Sequence, residues 1–317
     1  MKVKNLGRTG LRVSELCLGC MTFGNEANEA DSIAMINRAV EAGVNFLDTA
    51  NVYSRGRSEE IVGKALAGRR ERFVLATKLR GKMGDGPNDE GVSRYAVFQQ
   101  VDASLRRLNT DHIDLYQVHS WDANTPLEET LDALNDVVRA GKVRYLGCSN
   151  FAAWQLAKAL GLSALHRWAR FDCIQPRYNL IDRVVEREHF PLCLDAGVGV
   201  INYSPLAGGI LTGKYPPDGP PPPISRGGQN KWFMEGRAKQ HNLVRAQAVV
   251  SVLKEIPHPI VQTAIKWTLA HPAVTSPIIG ARDMAQLNAI LDGWDAWELG
   301  ADDKKRLDEV SELPPVN

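Results

Sequence analysis

Residues 113–149 read IDLYQVHSWDANTPLEETLDALNDVVRAGKVRYLGCS. The two ends, 113–119 and 143–149, are short apolar runs rich in β-branched and aromatic residues, the pattern of strands buried on both faces. Between them Leu127, Leu131 and Leu134 recur on one helical face. Pro126 takes the first helical position, Thr125 and Glu128 are placed to cap it reciprocally, and Gly141 follows the end. A strand, a helix and a second strand in so short a span predict a parallel crossover unit.

Outward from this unit the same alternation recurs. Further strands are expected at 15–18, 45–49, 73–78, 173–176, 198–203 and 277–279, which brings the total to eight. Val97, Val101, Leu105 and Leu108 form an apolar stripe on the helix before residue 113, and Gly43 closes the first helix. Eight strand–helix units, with no Pro/Gly/Ser linker dividing them, predict an α/β chain closed into a (β/α)8 TIM barrel, one domain over residues 1–317. The proline-rich run 216–223 opens a long polar loop at about 215–241, after the seventh strand. Loops of that length ordinarily bind or cover something.

Composition narrows the function classes. The chain has 317 residues, 38 lysines and arginines against 37 acids, and a net charge of +1. That balance gives no global electrostatic reason to expect nucleic acid or an anionic membrane as a partner. A hydrophobic share of 44% supports a sizeable core. Five cysteines spread through a long chain fit a reducing compartment, so cytoplasm is expected. Residues 1–18 lack an uninterrupted apolar core and no run approaches a membrane span, so neither export nor insertion is predicted. Cys17 and Cys20 are spaced C-x2-C without a second pair or a histidine cluster, which reads as packing, and no metal is expected.

In such a barrel the site forms where strands end and loops begin. Strand two ends at Asp48 with Tyr53 just beyond, strand three at Lys78, strand four at His119. A phenol is a poor acid near neutrality unless a cation favours its phenolate, and Lys78 supplies that cation. Asp48 fixes the lysine by an ion pair, and His119 donates a hydrogen bond to a substrate carbonyl. Trp121 and Phe23 are candidate walls of a substrate pocket. Farther on, Gly208 to Lys214 fits G-x4-G-K, but Tyr215 stands where a magnesium-binding Ser or Thr belongs. A glycine-rich backbone there suits a pyrophosphate instead. No G-x-G-x-x-G follows an early strand, so a Rossmann domain is unsupported.

Taken in order, Asn45-Phe46-Leu47-Asp48-Thr49-Ala50 with Tyr53, Ala76-Thr77-Lys78, and Asp114-Leu115-Tyr116-Gln117-Val118-His119 resemble the catalytic segments of the aldo-keto reductase superfamily. Gly147-Cys148-Ser149-Asn150, Gln175 to Asn179, and Tyr203 to Gly209 resemble its cofactor segments, so the likeness runs through nearly the whole chain. The resemblance implies reduction of aldehydes or activated ketones, small-molecule carbonyl substrates, by NADPH. It makes Tyr53 the general acid, tuned by Lys78 and Asp48, with His119 orienting the carbonyl. It assigns Ser149, Asn150 and Gln175 to the nicotinamide carboxamide and stacks Tyr203 on the ring. Ser204, Leu206, Gly208, Gly213 and Lys214 fall in the loop that cradles pyrophosphate. Gly280, Arg282 and Gln286 fall at the end of strand eight, where Arg282 pairs with a 2′-phosphate and so favours NADPH over NADH. Ala289 and Ile290 depart from the family, which often has an acid and an asparagine there. The subgroup with Leu206-Ala-Gly-Gly and Thr212-Gly-Lys-Tyr is similar to bacterial aldo-keto reductases and potassium-channel β-subunit-like proteins. It includes homo-oligomers, and it implies an alternative: an NADPH-binding, redox-sensing regulatory subunit with slow turnover.

Overall fold

A computed structural model describes residues 1–236 and 239–312. The chain opens with a two-stranded antiparallel hairpin, β1 (Val3–Asn5) and β2 (Arg12–Ser14), which the sequence pattern did not announce. Eight parallel strands follow: β3 (Cys17–Gly19), β4 (Phe46–Asp48), β5 (Val74–Leu79), β6 (Ile113–Val118), β7 (Val143–Ser149), β8 (Phe171–Gln175), β9 (Gly199–Val200) and β10 (Ile278–Ile279). Between and after them lie α1 (Glu29–Glu41), α2 (Arg57–Leu66), α3 (Arg94–Leu108), α4 (Leu127–Arg139), α5 (Ala153–His166), α6 (His189–Ala196), α7 (Arg226–Gln229), α8 (Lys231–Gly236), α9 (Gln240–Glu255), α10 (Ile260–Leu269), α11 (Met284–Leu291) and α12 (Ala301–Val310).

Strand order is β10-β3-β4-β5-β6-β7-β8-β9, and each neighbouring pair is parallel. The ring closes between β9 and β10: Val200 bridges Val274, the Thr275 N–H donates to the Val200 carbonyl at 2.8 Å, and the Ile278 N–H donates to Asn202 at 2.8 Å. This is the expected (β/α)8 barrel. Alternation along the strands sorts side chains into two cores. Phe46, Val74, Ala76, Leu115, Cys173 and Ile201 fill the interior with Leu6 and Val13 of the hairpin region, while a larger outer core lies between the strands and the helices.

The hairpin therefore seals the barrel where the strands begin. Its fit is backbone to backbone: a Cβ on Gly7 would stand 2.5 Å from the Gly199 nitrogen, and the Arg8 N–H donates to the Gly197 carbonyl at 2.9 Å. Cys17 and Cys20 are fully buried, and burial pushes both thiols above their ordinary range. Among the described residues no helix is long and apolar enough to cross a membrane.

Three local expectations change. Thr125 does not cap α4; its hydroxyl donates to Asp122 Oδ2 at 2.9 Å, and Pro126 stands at the cap position. The seventh strand, expected over 198–203, pairs as a strand only over Gly199–Val200. Its continuation is the single bridge Arg177–Tyr203, ended by the left-handed Ser204 at φ 56°. The segment at 215–241 is not loop throughout, for it carries α7 and α8 and the start of α9, with Arg237 and Ala238 outside the described residues. α3 and α1 are as read: Val97, Val101 and Leu108 are buried, and Gly43 follows the first helix at φ 87°.

Candidate active site

Asp48 is the last residue of β4, Lys78 lies near the end of β5, and His119 directly follows β6. Parallel pairing brings these ends together at one mouth. Lys78 Nζ donates to Asp48 Oδ1 at 2.5 Å, to the Thr49 carbonyl at 2.8 Å and to Tyr53 Oη at 3.2 Å, so the ammonium spends its three protons on three oxygens. The Lys78 and Asp48 side chains are only 0% and 3% exposed, where an ion pair persists only if its remaining lone pairs are satisfied. Gln117 Nε2 at 2.9 Å and Gln175 Nε2 at 3.0 Å both donate to Asp48 Oδ2 and meet that condition.

Gln117 was missed from the sequence. The signal was present, since it is a neutral polar residue inside an otherwise apolar buried strand, two positions before His119 and on the same face. Gln175 makes a contact the sequence did not announce: its amide nitrogen donates to Asp48 and to Gln117 Oε1, the latter at 3.2 Å.

Tyr53 is aimed by a turn of unusual backbone. Ser54, Arg55 and Gly56 have φ of 48°, 53° and 92°, and Ser54 Oγ donates to the Phe23 carbonyl at 2.8 Å. Of the eight non-glycine residues at positive φ among the described residues, Asn109 and Arg167 cap helices. The other six, Ser54, Arg55, Arg80, Asn150, Ser204 and Ala207, all lie on loops that leave strand ends at this mouth. Clustering of that kind marks places where geometry is held against local preference.

The electrostatics follow from burial and neighbours. Burial opposes the charge on Lys78, but Asp48 and then Tyr53 more than offset it and hold the ammonium above its ordinary range. Burial raises the Tyr53 phenol; Lys78 pulls it down and Asp48 pushes it up, so the net shift is upward. The cation at Lys78 favours the phenolate as expected, but burial outweighs it. Burial, then Lys78 and Arg80, lower His119 to about 3. At neutral pH the mouth holds a protonated phenol, a charged lysine and a neutral imidazole, with the Tyr53 and His119 rings edge to face at 5.7 Å.

A cavity of about 470 Å³ opens over these groups. Asp48, Tyr53 and His119 line it, while Lys78 lies buried behind Tyr53. Ser149, Asn150, Gln175 and Tyr203 continue the lining. They are cross-linked: Ser149 Oγ donates to the Gln175 carbonyl at 2.8 Å, Asn150 Nδ2 to the His119 carbonyl at 2.9 Å, and Tyr203 Oη to Asn150 Oδ1 at 2.9 Å.

After β9, Ser204, Leu206, Gly208 and Lys214 line the cavity. Gly208 has φ 70°, and a Cβ there would fall 2.7 Å from Phe233 Cε2, so both its conformation and its neighbour demand glycine. Gly213 is not in the lining; at φ 78° it ends the 3-10 turn Ala207–Thr212 and faces Val250. Past β10, Gly280, Arg282 and Gln286 line the far end, and Ala289 and Ile290 stand there too as apolar wall.

Two proposed walls are misplaced. Phe23 is fully buried in the outer core and outside the lining, while Met21, two residues earlier and 46% exposed, lines the cavity. Trp121 also lies outside the lining, packed on Phe151 and Trp154. Gly19, Met21, Thr22 and Arg226 are lining residues that the sequence did not single out. Among the described residues no group of three or more potential metal ligands occurs.

This donor set suits an extended, doubly anionic ligand: hydroxyls and amides near His119, a left-handed backbone cradle at 204–209, and Lys214, Arg226 and Arg282 beyond it. The chain is 40% identical over 298 residues to an uncharacterized oxidoreductase, YrpG, of Bacillus subtilis, covering 90% of this chain and 89% of the other. A probable voltage-gated potassium channel subunit beta of Oryza sativa is 38% identical with the same coverage. The versiconal hemiacetal acetate reductase of Aspergillus parasiticus is 36% identical over 322 residues, 88% of each chain. The model of the Aldo/keto reductase family matches residues 15–312, nearly all of the barrel with its mouth, and the chain therefore belongs to this family of oxidoreductases.

Proposed function

We propose that this oxidoreductase reduces aldehydes or activated ketones to alcohols with NADPH, using Tyr53 as the general acid. The observation that carries the reading is the buried relay in which Lys78 Nζ bridges Asp48 at 2.5 Å and Tyr53 Oη at 3.2 Å beside the cavity. A substrate carbonyl oxygen between Tyr53 Oη and the neutral His119 receives hydrogen bonds from both. Tyr53 gives its proton to that oxygen, and Lys78 stabilises the phenolate left behind. Asp48, fixed by Gln117 and Gln175, keeps the ammonium charged and in place.

When bound, NADPH would supply the hydride, which together with the proton from Tyr53 would convert the carbonyl to the alcohol. Ser149, Asn150 and Gln175 would hold the carboxamide, and Tyr203 would stack on the ring, which their shared place in the cavity lining supports. Ser204, Leu206, Gly208 and Lys214 suit the pyrophosphate, and Gly280, Arg282 and Gln286 the adenosine end with its 2′-phosphate. The apolar Ala289 and Ile290 leave that end with fewer polar contacts. We assign the activity to one barrel domain spanning 1–317.

The test is NADPH oxidation, followed at roughly 340 nm where reduced nicotinamide absorbs, with a panel of aldehydes and ketones. Substrate-dependent oxidation that disappears in Tyr53→Phe supports the assignment; equal turnover in the variant rejects it. A second reading has one observation in its favour, the similarity to probable potassium channel β subunits of Oryza sativa and Arabidopsis thaliana. On that reading the chain is a redox-sensing regulatory subunit, and tight NADPH binding with slow turnover on every carbonyl offered would favour it.

A further inference from the structure

Glu26 lies on the loop between β3 and α1, and its carboxylate faces two guanidiniums that come from far along the chain. Arg282 Nε stands 3.5 Å from Glu26 Oε2, and Arg226 Nη2 stands 3.6 Å from Oε1. Both arginines line the cavity, one at the start of α7 and one just past β10. Arg282 Nη2 also donates to the Ile224 carbonyl at 3.1 Å, which joins the segment ahead of α7 to the end of the eighth strand. Among the described residues Glu26 has no hydrogen bond and no other ion pair, so these long contacts are what hold it.

Two guanidiniums around one carboxylate form a seat whose chemistry suits a phosphate monoester better than the carboxylate does, since a phosphate brings more charge and more acceptor oxygens. A phosphate entering that seat meets the like charge of Glu26 and must drive it off. A hydroxyl entering the same seat meets no repulsion and finds in Glu26 a charged acceptor. We propose that Glu26 sets how strongly this chain prefers a phosphorylated over an unphosphorylated dinucleotide, by acting as an internal counter-ion to Arg226 and Arg282 that a 2′-phosphate must displace. The proposal rests on the dinucleotide reading above and adds to it a selectivity residue on a different loop.

Fluorescence titration of NADPH and NADH into wild type, Glu26→Gln and Glu26→Asp tests it at low salt. Glu26→Gln is expected to tighten NADPH about ten-fold while NADH stays within about two-fold, as removal of a like charge a few ångströms from the phosphate demands. Glu26→Asp, which keeps the charge but shortens its reach, should fall between. High salt should shrink the gain by screening these partly solvated charges. An NADPH-to-NADH affinity ratio unchanged in both variants, or a parallel loss for both nucleotides, overturns the proposal and leaves Glu26 as a staple between loops. Failure of wild type to bind either nucleotide rejects the dinucleotide reading itself, and this proposal with it.

Discussion

Two walls of one mouth, one built from strands two to four and the other from the loops after strands one, seven and eight, face the same cavity and are held in opposite ways. On the first, Asp48, Lys78 and Gln117 are buried and joined by hydrogen bonds of 2.5 to 2.9 Å. On the second, Glu26, Arg226 and Arg282 are 19% to 30% exposed and meet across 3.5 to 3.6 Å. A buried charge offsets its desolvation only when every lone pair is matched, so the first wall has essentially one geometry. Partly solvated pairs at that distance are worth little and exchange partners easily. Reaction chemistry needs the former, and admission of a large charged ligand needs the latter.

The sharpest break of this comparison is Tyr53→Phe. If the buried wall carries proton transfer, turnover falls about 10²- to 10⁴-fold while NADPH binding, read by fluorescence, changes by less than about three-fold. Next is Lys78→Met, which strands the Asp48 carboxylate with two amide donors and no cation. Urea unfolding should register a loss of about 3–5 kcal/mol, whereas Arg226→Ala on the other wall should stay within about 1 kcal/mol. Equal losses would erase the distinction between the walls. Arg282→Ala should weaken NADPH about 10- to 100-fold, the worth of a charge-assisted contact, and NADH far less; parallel losses would place Arg282 on the pyrophosphate instead.

A further expected effect is a pH dependence of stability. His119 is lowered to about 3 in the folded chain from an ordinary value of 6.5, so the unfolded state takes up its proton first as pH falls. Its stabilising contribution is complete above pH 6.5 and is lost downward through the window from 6.5 to about 3, at up to about 1.4 kcal/mol per pH unit. Denaturation curves of wild type and His119→Gln should converge in slope above that window and diverge within it. Identical slopes throughout would mean that His119 takes up its proton alike in the folded and unfolded chain.

The strand–helix alternation was legible because each barrel strand is buried on both faces and each flanking helix carries a single apolar stripe. The four catalytic candidates were legible because strand ends and the loops just beyond them are where a barrel presents polar side chains to one mouth. The hairpin of β1 and β2 was not, since three-residue strands leave almost no periodic signal. Glu26 and Arg226 escaped for another reason: an ion pair between residues 26 and 226 depends on closure of the ring, which no local pattern encodes. Phe23 was misread because an aromatic residue beside a strand end looks the same in sequence whether it turns toward the mouth or, as here, into the outer core.

The contact of Gly7 with Gly199 places the first turn of the chain against its seventh barrel strand. During synthesis Gly7 emerges well before Gly199, so at that time the surface it must close against does not yet exist. Until it does, the barrel floor that Leu6 and Val13 enter lacks Ile201 and Ile278 and is incomplete. The plug at the base is thus among the last parts of the molecule to settle, and a growing chain stalled before residue 199 is one that a chaperone has reason to hold.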